Sequence, residues 1–150
     1  MTLLESRLHA DMTSAMKAGD KVRLGTIRQL RSQLQYEKLS AGDSWSDQAA
    51  EMVLVKAAKM RRESISMYER GNRADLVERE QAELKIIEEY LPEQLTEAEL
   101  DRIIDEAISA TGATGSNEMG RVMGVVMPKV KGRTDGAVVG ARVRAKLGAL

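Results

Sequence analysis

The stretch NEMGRVMGVVMPKVKGRTDG, Asn117–Gly136, decides how the rest of the chain is read. Met119, Met123 and Met127 recur every four residues, with Val122, Val126 and Val130 beside them, which makes one apolar stripe at helical spacing. Gly120 and Gly124 interrupt the side-chain cover of that helix, each at a cost of about 1 kcal/mol against alanine. Two such glycines imply that something comes close to the helix backbone. The character then changes. Pro128, Lys129, Lys131, Gly132 and Arg133 make a basic corner, and Asp135 is placed to cap a further helix. Pro128 requires a helix running through it to kink or to lose a hydrogen bond.

Working outward, the same helical signals continue in both directions. Thr2 is placed to cap a first helix carrying Leu4, Leu8, Met12 and Met16, which Gly19 ends. Asp20 caps a second with Leu24, Ile27, Leu30 and Leu34 inward. The turn-rich AGDSWSD segment, residues 41–47, separates it from a third that restarts at Ser46 or Asp47. There Val53, Ala57, Met60, Ser64 and Met67 repeat at alternating steps of four and three, with Leu54, Ile65 and Tyr68 widening the stripe. Gly71-Asn72 punctuates, and Val77, Leu84, Ile87 and Leu91 mark a fourth helix. Leu91-Pro92 stops that series. Thr96-Glu97-Ala98-Glu99 is a capping box, and the helix after it buries Leu100, Ile103, Ile104, Ala107 and Ile108 before Gly112. Ser116 or Asn117 caps the methionine-valine helix, and Val139, Val143 and Leu147 face inward on the last. No strand alternation occurs. The expectation is an all-α protein, with a four-helix N-terminal domain over residues 1–92 and a small three-helix domain over 96–150.

Composition narrows the function classes. The 150 residues contain no Phe, one Trp and three Tyr, so aliphatic side chains and nine Met must fill the core. The absence of cysteine excludes disulfides, thiolate metal sites and cysteine nucleophiles. No apolar run approaches a membrane span. The opening MTLLESRLHADM carries acidic residues and no Arg/Ser bias, unlike a signal or transit peptide, so the expected location is cytoplasmic. Net charge is zero but uneven: seven basic and two acidic residues follow Gly112, giving +5 there and −5 before it. That asymmetry points to an anionic partner for the C-terminal part, to contact between the two halves, or to an incidental surface imbalance.

The remaining candidates carry little chemistry. His9 is the only histidine and has no second ligand in sight, so no metal is expected. Glu88 and Glu89 are adjacent on a helix, point apart and cannot form an acid/base pair. The run Lys56-x-x-Lys59-x-Arg61-Arg62 suits either a phosphate or plain solvent. Gly132, Gly136 and Gly140 read as caps and close packing. The basic corner is the best candidate site. Lys129, Lys131, Arg133 and Arg121, with Gly120, Gly124 and Gly132 admitting a phosphate backbone, form a candidate nucleic-acid contact. Without aromatic platforms in this half, recognition by shape and phosphate suits folded RNA.

Two stretches, Lys59–Leu100 and Met119–Leu147, resemble the YqeY-like family. The second is also similar to the tail domain of the B subunit (GatB) of the glutamine-dependent tRNA amidotransferase. The resemblance covers nearly the whole chain and is carried by MGRVMGVVMPKVKGRTDG, in which Met119, Gly120, Gly124, Lys131, Gly132 and Asp135 match the tail motif. It implies a four-helix domain followed by a three-helix one, and association with carbon–nitrogen ligase chemistry that uses glutamine as amido-N donor. In the amidotransferase the tail helps hold tRNA while a separate domain performs catalysis, and none of the matching residues is chemical. The resemblance therefore implies a tRNA-associated accessory module acting with tRNA, the amidotransferase or other translation proteins. No cofactor is implied, and no catalytic constellation is visible. The competing expectation is a protein-interaction adaptor that presents the Met-rich helix as a groove.

Overall fold

Thr2 and Thr96 both form complete capping boxes in the computed structural model, which describes residues 1–150. At each site the threonine hydroxyl accepts the N–H of the glutamate three residues on, and that glutamate's carboxylate accepts the threonine N–H. The helices are α1 Leu3–Ala18, α2 Lys21–Ala41, α3 Asp47–Arg70, α4 Ala74–Glu88, α5 Glu97–Thr111, α6 Met119–Val130 and α7 Gly136–Gly148. Short 3-10 turns occupy Gly42–Ser44 and Ser116–Glu118, and there is no strand. The protein is all-α. Gly19 and Gly112 end α1 and α5 in the left-handed conformation, where a side chain would be strained.

Helices α1–α4 lie in one compact unit, Met1–Pro92, and α5–α7 in a second, Glu93–Leu150. The first is built around Leu8, Ile27, Leu30, Leu34, Leu54, Ala57, Ala58 and Ile87, with Tyr90 at its edge. The second is built around Leu100, Ile104, Ala107, Val122, Val126, Val130, Val139, Val143 and Leu147. None of the helices is long and apolar enough to cross a membrane.

Several inward positions differ from the sequence expectation. On α1, Ala15 rather than Met16 follows Leu8 into the core, and Met16 is 53% exposed. Steps of four residues gain about 40° each on a helix of 3.6 residues per turn, so a stripe made only of fours rotates off the core, and a step of three returns it. On α3 the buried residues are Ala50, Leu54, Ala57 and Ala58, while Met60 and Met67 point to solvent. The next inward position is taken by Arg61, whose side chain is only 12% exposed. Its guanidinium meets Glu83 at 3.0 Å and Glu80 at 3.6 Å, both on α4, and donates to Gln29 on α2 at 2.8 Å. An arginine met by two carboxylates turned the helix to a face that apolarity alone does not select. Leu91 lies beyond the end of α4 and is half-buried.

One polar clasp ties three elements of the first unit together. Glu5 accepts from Thr2, from Trp45 Nε1 at 3.3 Å and from Lys38 Nζ at 3.2 Å. Burial pushes its carboxyl up, but the hydrogen bonds from Thr2, Trp45 and Lys38 outweigh that and hold it at about 2. The folded value is depressed, so the stabilisation is complete above the ordinary pKa near 4.5 and is lost as pH falls toward 2. Glu5→Gln is therefore expected to lower stability at pH 7 by roughly 2–3 kcal/mol. Thermal unfolding of both proteins at stepped pH should show that difference shrink between pH 5 and pH 2.5; a constant difference would contradict it.

Candidate nucleic-acid interface

Helix α6 divides cleanly between an inner and an outer face. Val122, Val126 and Val130 are each fully buried, and Met119, Met123 and Met127 flank them half-buried. The methyl groups of Met119 and Met127 approach α7, where a Cβ at Gly140 or Gly136 would meet them at 3.9 and 3.8 Å. The α7 glycines thus admit the α6 methionines. Gly120 and Gly124 are on the opposite, exposed face, and a Cβ at either would meet nothing within 4 Å. The approach to this backbone that the sequence implies is supplied by no other part of the chain. Pro128 lies on the same face inside α6 and offers no N–H to the Gly124 carbonyl, leaving that acceptor without its usual helical donor.

The entry to α6 is built differently from the sequence expectation. Neither Ser116 nor Asn117 caps it by a side chain; those residues lie in the 3-10 turn, and Glu118 precedes the helix. The Glu118 carboxylate instead accepts the Thr114 N–H, which with Arg121 nearby holds it below the usual carboxylate range. Arg121 bridges to Glu118 at 3.2 Å and donates to the Thr111 carbonyl at 2.7 Å. This candidate phosphate ligand therefore serves the C-terminal end of α5, where free carbonyls favour a cation.

The basic corner separates into two kinds of residue. Lys129 and Lys131 are exposed, and neither ammonium has a hydrogen-bond or ion-pair partner. Arg133 is half-buried, and its Nε donates to the Glu93 carbonyl at 3.0 Å. Its own carbonyl accepts the Leu95 N–H at 2.8 Å. Gly132 is buried, has φ +78°, and accepts from Gln94 Nε2 at 2.9 Å. Residues 93–95 are thus stitched to the corner, with Gly132 facing them instead of solvent. Of the seven nominated residues, the structure brings Gly120, Gly124, Lys129 and Lys131 to the surface and engages Arg121, Gly132 and Arg133 in local contacts.

The charge surplus after Gly112 is largely answered within the second unit. Arg142 holds Asp101 in a two-pronged pair at 3.0 and 3.1 Å, and Lys146 meets Asp105 at 2.9 Å. Counted over residues 93–150, eight basic residues balance eight acidic ones. What remains unanswered is Lys129 and Lys131 at the end of α6 and Arg144 on α7.

Other polar groupings carried no sequence signal, because each joins residues distant along the chain. Tyr90 donates to Asp11 at 2.5 Å, and burial followed by this bond pushes its phenol well above the usual range. Arg7 stacks over the Tyr90 ring at 4.5 Å and donates to the Glu89 carbonyl at 3.0 Å. The Glu89 carboxylate takes Arg23 at 2.7 Å. His9 is exposed on α1. An open groove lies between α2 and α3; Lys56 and Lys59 line it, and none of the seven residues of the basic corner and α6 does.

Comparison with known proteins adds the lineage. A family model described as Yqey-like protein matches residues 5–147. The chain is 33% identical over 146 residues to altered inheritance of mitochondria protein 41, mitochondrial, of Pyrenophora tritici-repentis, covering 95% of this chain and 80% of that protein. A protein of the same name from Lachancea thermotolerans is 34% identical over 107 residues, 69% of this chain and 57% of that one. The chain is also 39% identical over 72 residues to a glutamyl-tRNA(Gln) amidotransferase component of Thermococcus gammatolerans, a match of 45% of this chain and 12% of that protein.

With open space at both positions, Gly120→Ala and Gly124→Ala should each stabilise α6 by about 0.5–1 kcal/mol. Thermal unfolding checks this, and a drop in Tm would mean that the outer face is covered.

Proposed function

The chain belongs to the YqeY-like family, and on that premise we propose that it is a tRNA-associated accessory module related to the glutamine-dependent tRNA amidotransferase, without catalysis of its own. The observation that carries this reading is the outer face of α6. Backbone open at Gly120 and Gly124 sits on the same helix as Lys129, with Lys131 just past its end, and no carboxylate neutralises either lysine. Uncovered backbone on a helix that ends in unpaired ammonium groups suits a phosphate-ribose strand, which demands close approach and positive charge but no base-specific side chain. The partial likeness to an amidotransferase component supports tRNA as the RNA class. The adaptor alternative draws less support, since the methyl groups of Met119 and Met127 are turned toward α7.

Binding of tRNA measured by fluorescence anisotropy over a salt series tests the reading. Lys129→Ala with Lys131→Ala should reduce the magnitude of the salt slope by about 1.4–1.8, at 0.7–0.9 for each phosphate contact. Affinity should fall alike for all tRNAs, because phosphate contacts position without specifying. Gly124→Leu should keep the fold, given the space around it, and weaken binding by blocking approach. Wild-type protein that binds no tRNA even at low salt would refute the proposal.

Catalysis is tested separately. Pure protein incubated with misacylated glutamyl-tRNA, ATP and glutamine is expected to form no amidated product, and clear turnover would replace the accessory reading with an enzymatic one.

A further inference from the structure

The solvent face of α3 carries Met52, Lys56, Lys59, Met60, Glu63 and Met67. Three of the nine methionines in the chain are on it, exposed by 42, 48 and 68%. Beside them α2 and α3 border an open groove of roughly 1020 Å³, with Tyr36, Trp45, Met52, Val53 and Met60 in its walls. Tyr36 is itself 70% exposed. Apolar surface gathered along one helix marks a contact face, and methionine side chains adapt readily to an opposing surface.

The order of the six residues suits a second copy of the same helix. When two identical helices pack antiparallel about a twofold axis, the contact is self-complementary, and positions equally far from the axis in opposite directions meet. Set the axis between Lys59 and Met60. Met52 then falls opposite Met67 of the second copy and Lys56 opposite Glu63, while Lys59 and Met60, which flank the axis, each lie beside their own copies. Apolar ends meet apolar ends and each Lys56 finds a carboxylate, with Lys59 one turn from that same carboxylate. The seam from Met52 to Met67 is about 22 Å long at 1.5 Å per residue, and the groove wall with Tyr36 adds width toward the roughly 800 Å² per partner of a specific interface.

We propose that the exposed face of α3 is the seam of a homodimer, packed antiparallel against α3 of a second copy, with Lys56 paired to Glu63 across the twofold axis. This seam uses none of the α6 residues and does not depend on RNA binding. It also accounts for Met60 and Met67 standing outside the core of their own unit.

Sedimentation equilibrium of the full chain from about 1 µM to about 500 µM reads the association directly. The wild type should move from its 16.5 kDa monomer mass toward twice that value, with a Kd of about 10–100 µM. Met60→Lys replaces the apolar pair at the axis with two further ammonium groups beside the two of Lys59 and should weaken the dimer by at least about tenfold. Lys56→Glu and Glu63→Lys should each weaken it by about fivefold or more, since each places like charges across the seam. An equimolar mixture of those two variants should associate again, each offering the charge that the other lacks, and the double reversal in one chain should do the same. All of these positions are exposed, so circular dichroism should match the wild type. A wild type that stays monomeric throughout would overturn the proposal and leave the face to a different partner. A dimer indifferent to Met60→Lys, or a mixture no better than its components, would overturn it equally.

Discussion

Burial of Val122, Val126 and Val130 on one side of α6 is the constraint on which the C-terminal unit depends. Three β-branched side chains with no freedom to repack hold the rotation of that helix about its axis. That rotation sends Gly120, Gly124 and Pro128 outward, turns Met119 and Met127 toward the glycines of α7, and ends α6 at the basic corner. Rotating α6 by half a turn would bury the open glycine face and expose the valines. The candidate RNA surface is thus a by-product of where the valines must go.

Electrostatics in this unit works by subtraction. Four of the seven cations after Gly112 are engaged: Arg142 and Lys146 are drawn to Asp101 and Asp105 on α5, and Arg121 and Arg133 to main-chain carbonyls. Paired cations hold the elements in place and contribute little outward field. Lys129 and Lys131 at the end of α6 and Arg144 on α7 are left over. A surplus spread over the sequence is thinned to a few exposed cations, because folding selects which charges are answered.

The N-terminal unit follows the same logic with a different outcome. Arg61 takes an inward place on α3 that its apolar neighbours would otherwise have filled, because Glu80 and Glu83 of α4 and Gln29 of α2 surround it. Met60 and Met67 are displaced to the outside as a result. A polar network that sets helix rotation leaves apolar surface elsewhere, and that surface is then open to association.

Local chemistry was enough to place the helices. Thr2 and Thr96 with their reciprocal glutamates, Asp20, Ser46 and Asp135 as caps, and Gly19 and Gly112 as stops all act within a few residues, so the sequence displays them directly. The all-α class, the valine stripe of α6 and its uncovered glycines were legible for the same reason. Helix rotation was less so: a stripe of apolar residues has more than one acceptable inner face, and the choice on α3 lay with carboxylates on α4, some twenty residues away along the chain. The fates of Gly132, Arg133 and Arg121 were likewise decided by partners at Gln94, Glu93 and Thr111. Tertiary structure alone settles such matters, because a hydrogen bond or ion pair between distant residues leaves no periodicity in either segment.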